Sequence, residues 1–106
     1  MGNADTVLDE VTRRVVEASQ PDRVILFGSH ARGQARADSD LDLLVIKDYS
    51  SSAREEERRI YRALVGLGVA VDVVVVRPSH VQRYGSLVGT VVRPALREGR
   101  TLYARR

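Results

Sequence analysis

Apolar residues recur at helical spacing near the start of the chain, at Val7, Val11, Val15 and Ala18, with Arg13, Arg14 and Glu17 turned elsewhere. This period predicts an amphipathic helix from about Asp5 to Ser19 that ends before Pro21, whose ring cannot continue it. The pattern then changes to short apolar runs. Arg23 to Phe27 reads as a buried strand stopped by Gly28, and Leu41 to Ile46 as a second strand. Between them, His30 to Ser39 reads as one or two helical turns and a polar Asp38-Ser39 turn. Helical spacing returns with Ile60, Leu64 and Leu67. Ser52 and Glu55 have capping-box spacing, Glu55 to Glu57 fill the first turn, and Arg58, Arg59 and Arg62 follow, as the helix macrodipole favours. Gly66 and Gly68 release the chain into Val69 to Val76, which is apolar at every position except Asp72 and is predicted to be a strand covered on both faces. The stretch Pro78 to Glu98 is predicted to be helical in pieces, interrupted by Pro94 and closed by Gly99, with Thr101 to Tyr103 extended. Three strands separated by helical segments place the chain in the α/β class.

Composition narrows the chemistry. With 106 residues, of which 43% are hydrophobic, residues 1–106 are expected to form a single domain with one core. There is no cysteine, so any metal must be held by oxygen or histidine, and a reducing compartment is compatible. The first ten residues resemble no secretion signal and no apolar run has the length of a membrane span, so a cytoplasmic protein without a membrane segment is expected. The net charge is +3, carried by arginines with Lys47 as the sole lysine. That balance suits an anionic partner and is equally ordinary for a small soluble domain. No helix-turn-helix, ribonucleoprotein or zinc signature is present, so nucleic acid is not expected as a direct ligand. His30 and His80 have no metal-ligand spacing, and Tyr61, Tyr84 and Tyr103 are read as packing residues. Leu87, Val88, Val91 and Val92 either complete the core or are covered by a partner or a second copy, so a homodimer stays open.

Two motifs carry chemistry. Gly28-Ser29 stands where a strand turns into a helical segment, so its backbone amides and the Ser29 hydroxyl can face one anion, phosphate being the natural ligand. An ordinary turn with a capping serine has the same signature. Arg32, three residues on, is either a phosphate partner or a solvated side chain. Asp40 and Asp42 stand two apart at the start of a strand, so their carboxylates share a face and repel unless a cation joins them. Magnesium suits such a pair; a solvated turn and strand margin is the alternative. Asp72 stands inside an apolar run, where an isolated buried carboxylate would be costly. A metal shared with Asp40 and Asp42 offsets that cost and puts a carboxylate where it can accept the proton of an attacking hydroxyl; pairing with an arginine is the alternative.

Gly28-Ser29, ten residues, Asp40-Leu41-Asp42 and a third aspartate in a later apolar strand together resemble the polymerase-beta-type nucleotidyltransferase superfamily. The stretches GSHARG, SDLDLLV and VDVVVV, and the ending from Gly85 through ALREGRTLY, are most similar to its minimal members, encoded beside HEPN-domain toxins. The resemblance covers the chain from Arg23 onward. It implies a mixed β-sheet with packed helices, the palm-like nucleotidyltransferase fold. It further implies Gly28 and Ser29 on the triphosphate, Asp40 and Asp42 on two divalent ions (Mg2+ or Mn2+), and Asp72 completing the site. The activity implied is transfer of AMP from ATP to a tyrosine of a partner HEPN toxin, with the chain acting as antitoxin. A catalytically idle module that neutralises its partner by covering it is the other function this pattern allows.

Overall fold

The computed structural model describes residues 3–28, 40–84 and 99–105. Helix α1 (Asn3–Ser19) leads into strand β1 (Arg23–Phe27), followed by β2 (Leu41–Ile46), helix α2 (Ala53–Ala63), β3 (Val71–Val76), helix α3 (Pro78–Tyr84) and β4 (Arg100–Ala104). The expected extended segment near Thr101 is therefore a fourth strand. The sheet order is β3-β2-β1-β4, with β1 antiparallel to β2 and to β4, and β2 parallel to β3. This is a mixed sheet, as a palm-like fold requires.

Local sequence explains the boundaries. Helix α1 stops at Gln20, whose φ of 50° lies in the left-handed region, and Pro21 follows. Its buried stripe is Leu8, Val11, Val15 and Ser19, with Val7 and Ala18 only partly covered. Ser19 is tolerated inside because its hydroxyl donates to the Val15 carbonyl at 2.8 Å. At the start of α2, the Ser52 hydroxyl accepts the Glu55 amide at 3.1 Å, the N-cap that the spacing predicts. Helix α2 buries Ile60 and Leu64, and also Glu56, which lies beside Lys47 at 2.7 Å. Lys47 follows β2 directly, so this buried ion pair ties the end of β2 to α2.

Period-two alternation divides the core between the two faces of the sheet. Val24, Leu26, Leu41, Leu43, Val45, Val73 and Val75 pack with α1 and α2 on one face. On the other, Ile25, Leu44, Ile46 and Val76 form a smaller cluster joined by Phe27, Val74 and Val81 of α3. Strand β3 begins at Val71, two residues later than its apolar run. Leu87, Val88, Val91 and Val92 lie outside the described residues, as does the predicted helical turn between His30 and Ser39.

Candidate active site

Strand directions bring the candidate residues to one end of the sheet. Because β1 runs antiparallel to β2, its C-terminal end meets the start of β2; because β3 is parallel to β2, it starts there too. The register is specific: Phe27 stands opposite Asp42, and Asp42 beside Asp72. Neighbouring strands lie about 4.8 Å apart, so Asp42 and Asp72 are adjacent carboxylates on the same face. That face is the one opposite α1 and α2, shared with Leu44 and Val74. The Leu41 amide donates to the Ala70 carbonyl at 2.9 Å, which fixes the approach of the Asp40–Asp42 segment to the segment leading into Asp72. Asp40 is exposed and immediately precedes β2.

Gly28 follows β1 with φ of +75°, a conformation that side chains other than glycine adopt at a cost. Its missing side chain has a second consequence. A Cβ built there would overlap an Oδ2 oxygen of Asp42 and stand 3.2 Å from that residue's Cγ. The absent side chain thus leaves room for the Asp42 carboxylate. Ser29 and Arg32, the other expected phosphate contacts, lie outside the described residues, with His30, Asp38 and Ser39.

Asp72 corrects one premise of the sequence reading. It is exposed, so the burial penalty assigned to it does not exist. The apolar run around it suggested two covered faces, but among the described residues cover on the second face starts at Val74 and Val76. Asp72 itself is exposed, and no arginine pairs with it among the described residues. What distinguishes Asp72 is its register beside Asp42, a pairing that spans some thirty positions of chain and that no local pattern displays. Tyr61 likewise departs from its reading as a packing residue. It is 41% exposed, and its hydroxyl accepts the Val73 amide at 2.9 Å, one residue after Asp72.

The donor set at this sheet end consists of carboxylates, which suits a hard cation such as Mg2+. Among the described residues no three His, Asp or Glu side chains converge closely enough to hold a metal by themselves. Magnesium needs only one or two protein carboxylates, and takes its remaining ligands from water and substrate phosphate. Adjacent like charges on neighbouring strands repel, and a cation between them removes the repulsion. The adjacent carboxylates of Asp42 and Asp72, with Asp40 immediately before β2, therefore suit a divalent ion that takes its remaining ligands from a polyphosphate.

A family model described as nucleotidyltransferase domain matches residues 8–99 of the chain. No curated protein matches it. Among solved structures, a protein from Sulfolobus solfataricus described as a nucleotidyltransferase is 19% identical with a TM-score of 0.64, over 94% of this chain and 79% of that one. A toxin–antitoxin structure with AMP-PNP is 18% identical with a TM-score of 0.68, over 93% of this chain and 74% of that one. A mutant of the toxin–antitoxin MntA–HpeT, carrying two aspartate-to-glutamate substitutions, is 17% identical with a TM-score of 0.64, over 92% and 74%. At these identities the structures establish the shared fold.

Proposed function

Since this chain belongs to the nucleotidyltransferase domain family, we propose that it is an active, metal-dependent enzyme that moves AMP from ATP to a hydroxyl of a partner protein, acting as an antitoxin. The observation that carries the catalytic part is the in-register placement of Asp42 and Asp72 beside a glycine without room for a side chain. The antitoxin part is supported by the toxin–antitoxin structures of the same fold, one of which holds AMP-PNP. The two substituted aspartates of the MntA–HpeT mutant are two positions apart, the spacing of Asp40 and Asp42. A tyrosine of a HEPN-type toxin is the acceptor that the sequence resemblance implies.

Asp40, Asp42 and Asp72 would hold Mg2+ or Mn2+, and the chemistry supplied by an ion held there is neutralisation of triphosphate charge and alignment for in-line displacement. Gly28 keeps the space beside Asp42 clear, and Ser29 and Arg32 contact the triphosphate. The acceptor oxygen attacks the α-phosphorus, the bond from that phosphorus to the bridging oxygen breaks, and pyrophosphate leaves with the electron pair. Asp72, open to solvent and hence to an incoming hydroxyl, takes the acceptor's proton.

Intact-mass spectrometry of the co-purified partner, after incubation with ATP and magnesium, tests this reading against neutralisation by masking alone. Wild type should add AMP units, and Asp42→Asn should add none while still binding its partner. A stable complex with no mass gain from wild type would rule out the transferase reading.

A further inference from the structure

We propose that the outward face of α2 is a docking surface for an acidic, amphipathic segment of a partner protein. Arg54, Arg58 and Tyr61 are spaced i, i+4 and i+7 on α2 and share one side of it, with Arg62 at the border, and Val65 lies in the turn that follows the helix. All five are exposed, whereas Glu56, Ile60 and Leu64 are buried, and Tyr61 reaches the margin of β3 with its hydroxyl while its ring stays accessible. Among the described residues the exposed large hydrophobics are Tyr61, at 41%, and Val65, at 73%, which stand at the C-terminal end of α2 and just beyond it.

The charges on the two exposed helix faces differ in kind. On α1 the arginines are neutralised within the helix: Arg13 pairs with Glu10 and Glu17, and Arg14 pairs with Glu10. On α2, neither Arg54 nor Arg62 has an acidic partner among the described residues. Arg58 is held only by Glu55 at 2.7 Å, with both side chains more than half exposed, an i,i+3 pair that contributes little and exchanges readily for another carboxylate. This surface thus offers the Arg54 and Arg58 guanidiniums toward the start of α2, and Tyr61, Arg62 and the apolar Val65 at its end. Arginine and tyrosine are the residue types over-represented among binding hot spots, and an aromatic beside an aliphatic gives apolar anchoring that a phosphate backbone cannot use. Charge complementarity selects carboxylates, and the apolar half selects a protein segment over a nucleic acid. Tyr61 is also held rigid, because its hydroxyl bonds to the Val73 amide, so binding there costs little ordering of that side chain.

The proposal is independent of the transferase reading, since it requires neither nucleotide nor metal. Its test is fluorescence anisotropy with a labelled helix-forming peptide carrying a leucine stripe flanked by glutamates, beside its glutamine-for-glutamate twin and a labelled DNA duplex. Wild type should bind the acidic peptide more tightly than the twin and the duplex, and less tightly as salt rises. The double variant Arg54→Glu and Arg62→Glu, and separately Val65→Asp, should each weaken binding on the order of tenfold. Val65 is so exposed that its substitution should leave the circular dichroism spectrum unchanged. Absence of peptide binding, equal binding by Val65→Asp and wild type, or preference for the duplex would each overturn the proposal, the last in favour of a nucleic-acid surface.

Discussion

Gly28→Ala separates the role of this glycine in folding from its role at the site. Two effects act together. The first is local: a non-glycine residue in the left-handed region costs about 1–2 kcal/mol, which for a domain of this size lowers the melting temperature by roughly 5–10 °C. The second is geometric, because the new Cβ would overlap the Asp42 Oδ2 oxygen. That oxygen must retreat by about 1 Å to reach ordinary contact, and a misplacement of that size at reacting groups costs on the order of a hundredfold in rate. Gly66 provides the control. It also has a positive φ, +91°, but a Cβ there meets nothing within 4 Å. Gly66→Ala should therefore show the same loss of melting temperature with AMP transfer unchanged at a temperature where both variants are folded. Thermal melts and intact-mass transfer assays on the two variants side by side measure both effects. Equal transfer by Gly28→Ala and Gly66→Ala would refute the assignment of Gly28 to the Asp42 carboxylate.

Three further substitutions test what holds the scaffold. Lys47→Met strands the buried Glu56 carboxylate beside only a 3.4 Å contact to Arg59, and should cost about 2–4 kcal/mol in urea unfolding, whereas Lys47→Met with Glu56→Leu should recover most of it. Tyr61→Phe removes the acceptor for the Val73 amide; stability should fall by about 1 kcal/mol, and hydrogen exchange at Val73 should accelerate more than at buried core amides such as Leu43. Glu10 is held down at about 2, from an ordinary value of 4.5, by hydrogen bonds from Arg13 and Arg14. Its folded value is depressed, so its contribution is complete above about 4.5 and is lost as pH falls toward 2. Glu10→Gln should therefore lower stability slightly at neutral pH, with the difference from wild type vanishing as pH falls toward 2, so that the acid limb of an unfolding titration flattens in that window.

The elements were legible wherever a periodicity lay within one segment. The two strands Arg23–Phe27 and Leu41–Ile46 and the Ser52 cap follow from alternation, branching and capping geometry alone, since each depends on neighbours a few residues away. Glu56 was not legible as a buried residue, because its cost is met by Lys47, nine positions earlier on another element. The edge position of β4 was equally hidden. Thr101 to Tyr103 reads as extended, with Leu102 and Tyr103 packing on the core, but the pairing with β1 that makes Arg100 to Ala104 an edge strand spans most of the chain.

Asp72 marks a limit of what local sequence displays. An aspartate among valines suggested burial because the run was taken to be uniformly covered. A strand at the margin of a small sheet, however, loses its second layer before it ends. The charge is exposed, and among the described residues the second layer over β3 begins where Val81 of α3 packs with Val74 and Val76. The parallel register then sets Asp72 next to Asp42, and the antiparallel one sets Asp42 next to the turn at Gly28. Repulsion between two carboxylates in adjacent strands would destabilise an ordinary sheet end, so their placement makes sense where a cation or a polyphosphate-bound cation joins them. Burial is unnecessary for that purpose and would hinder it, because both the ion and the acceptor hydroxyl must enter from solvent.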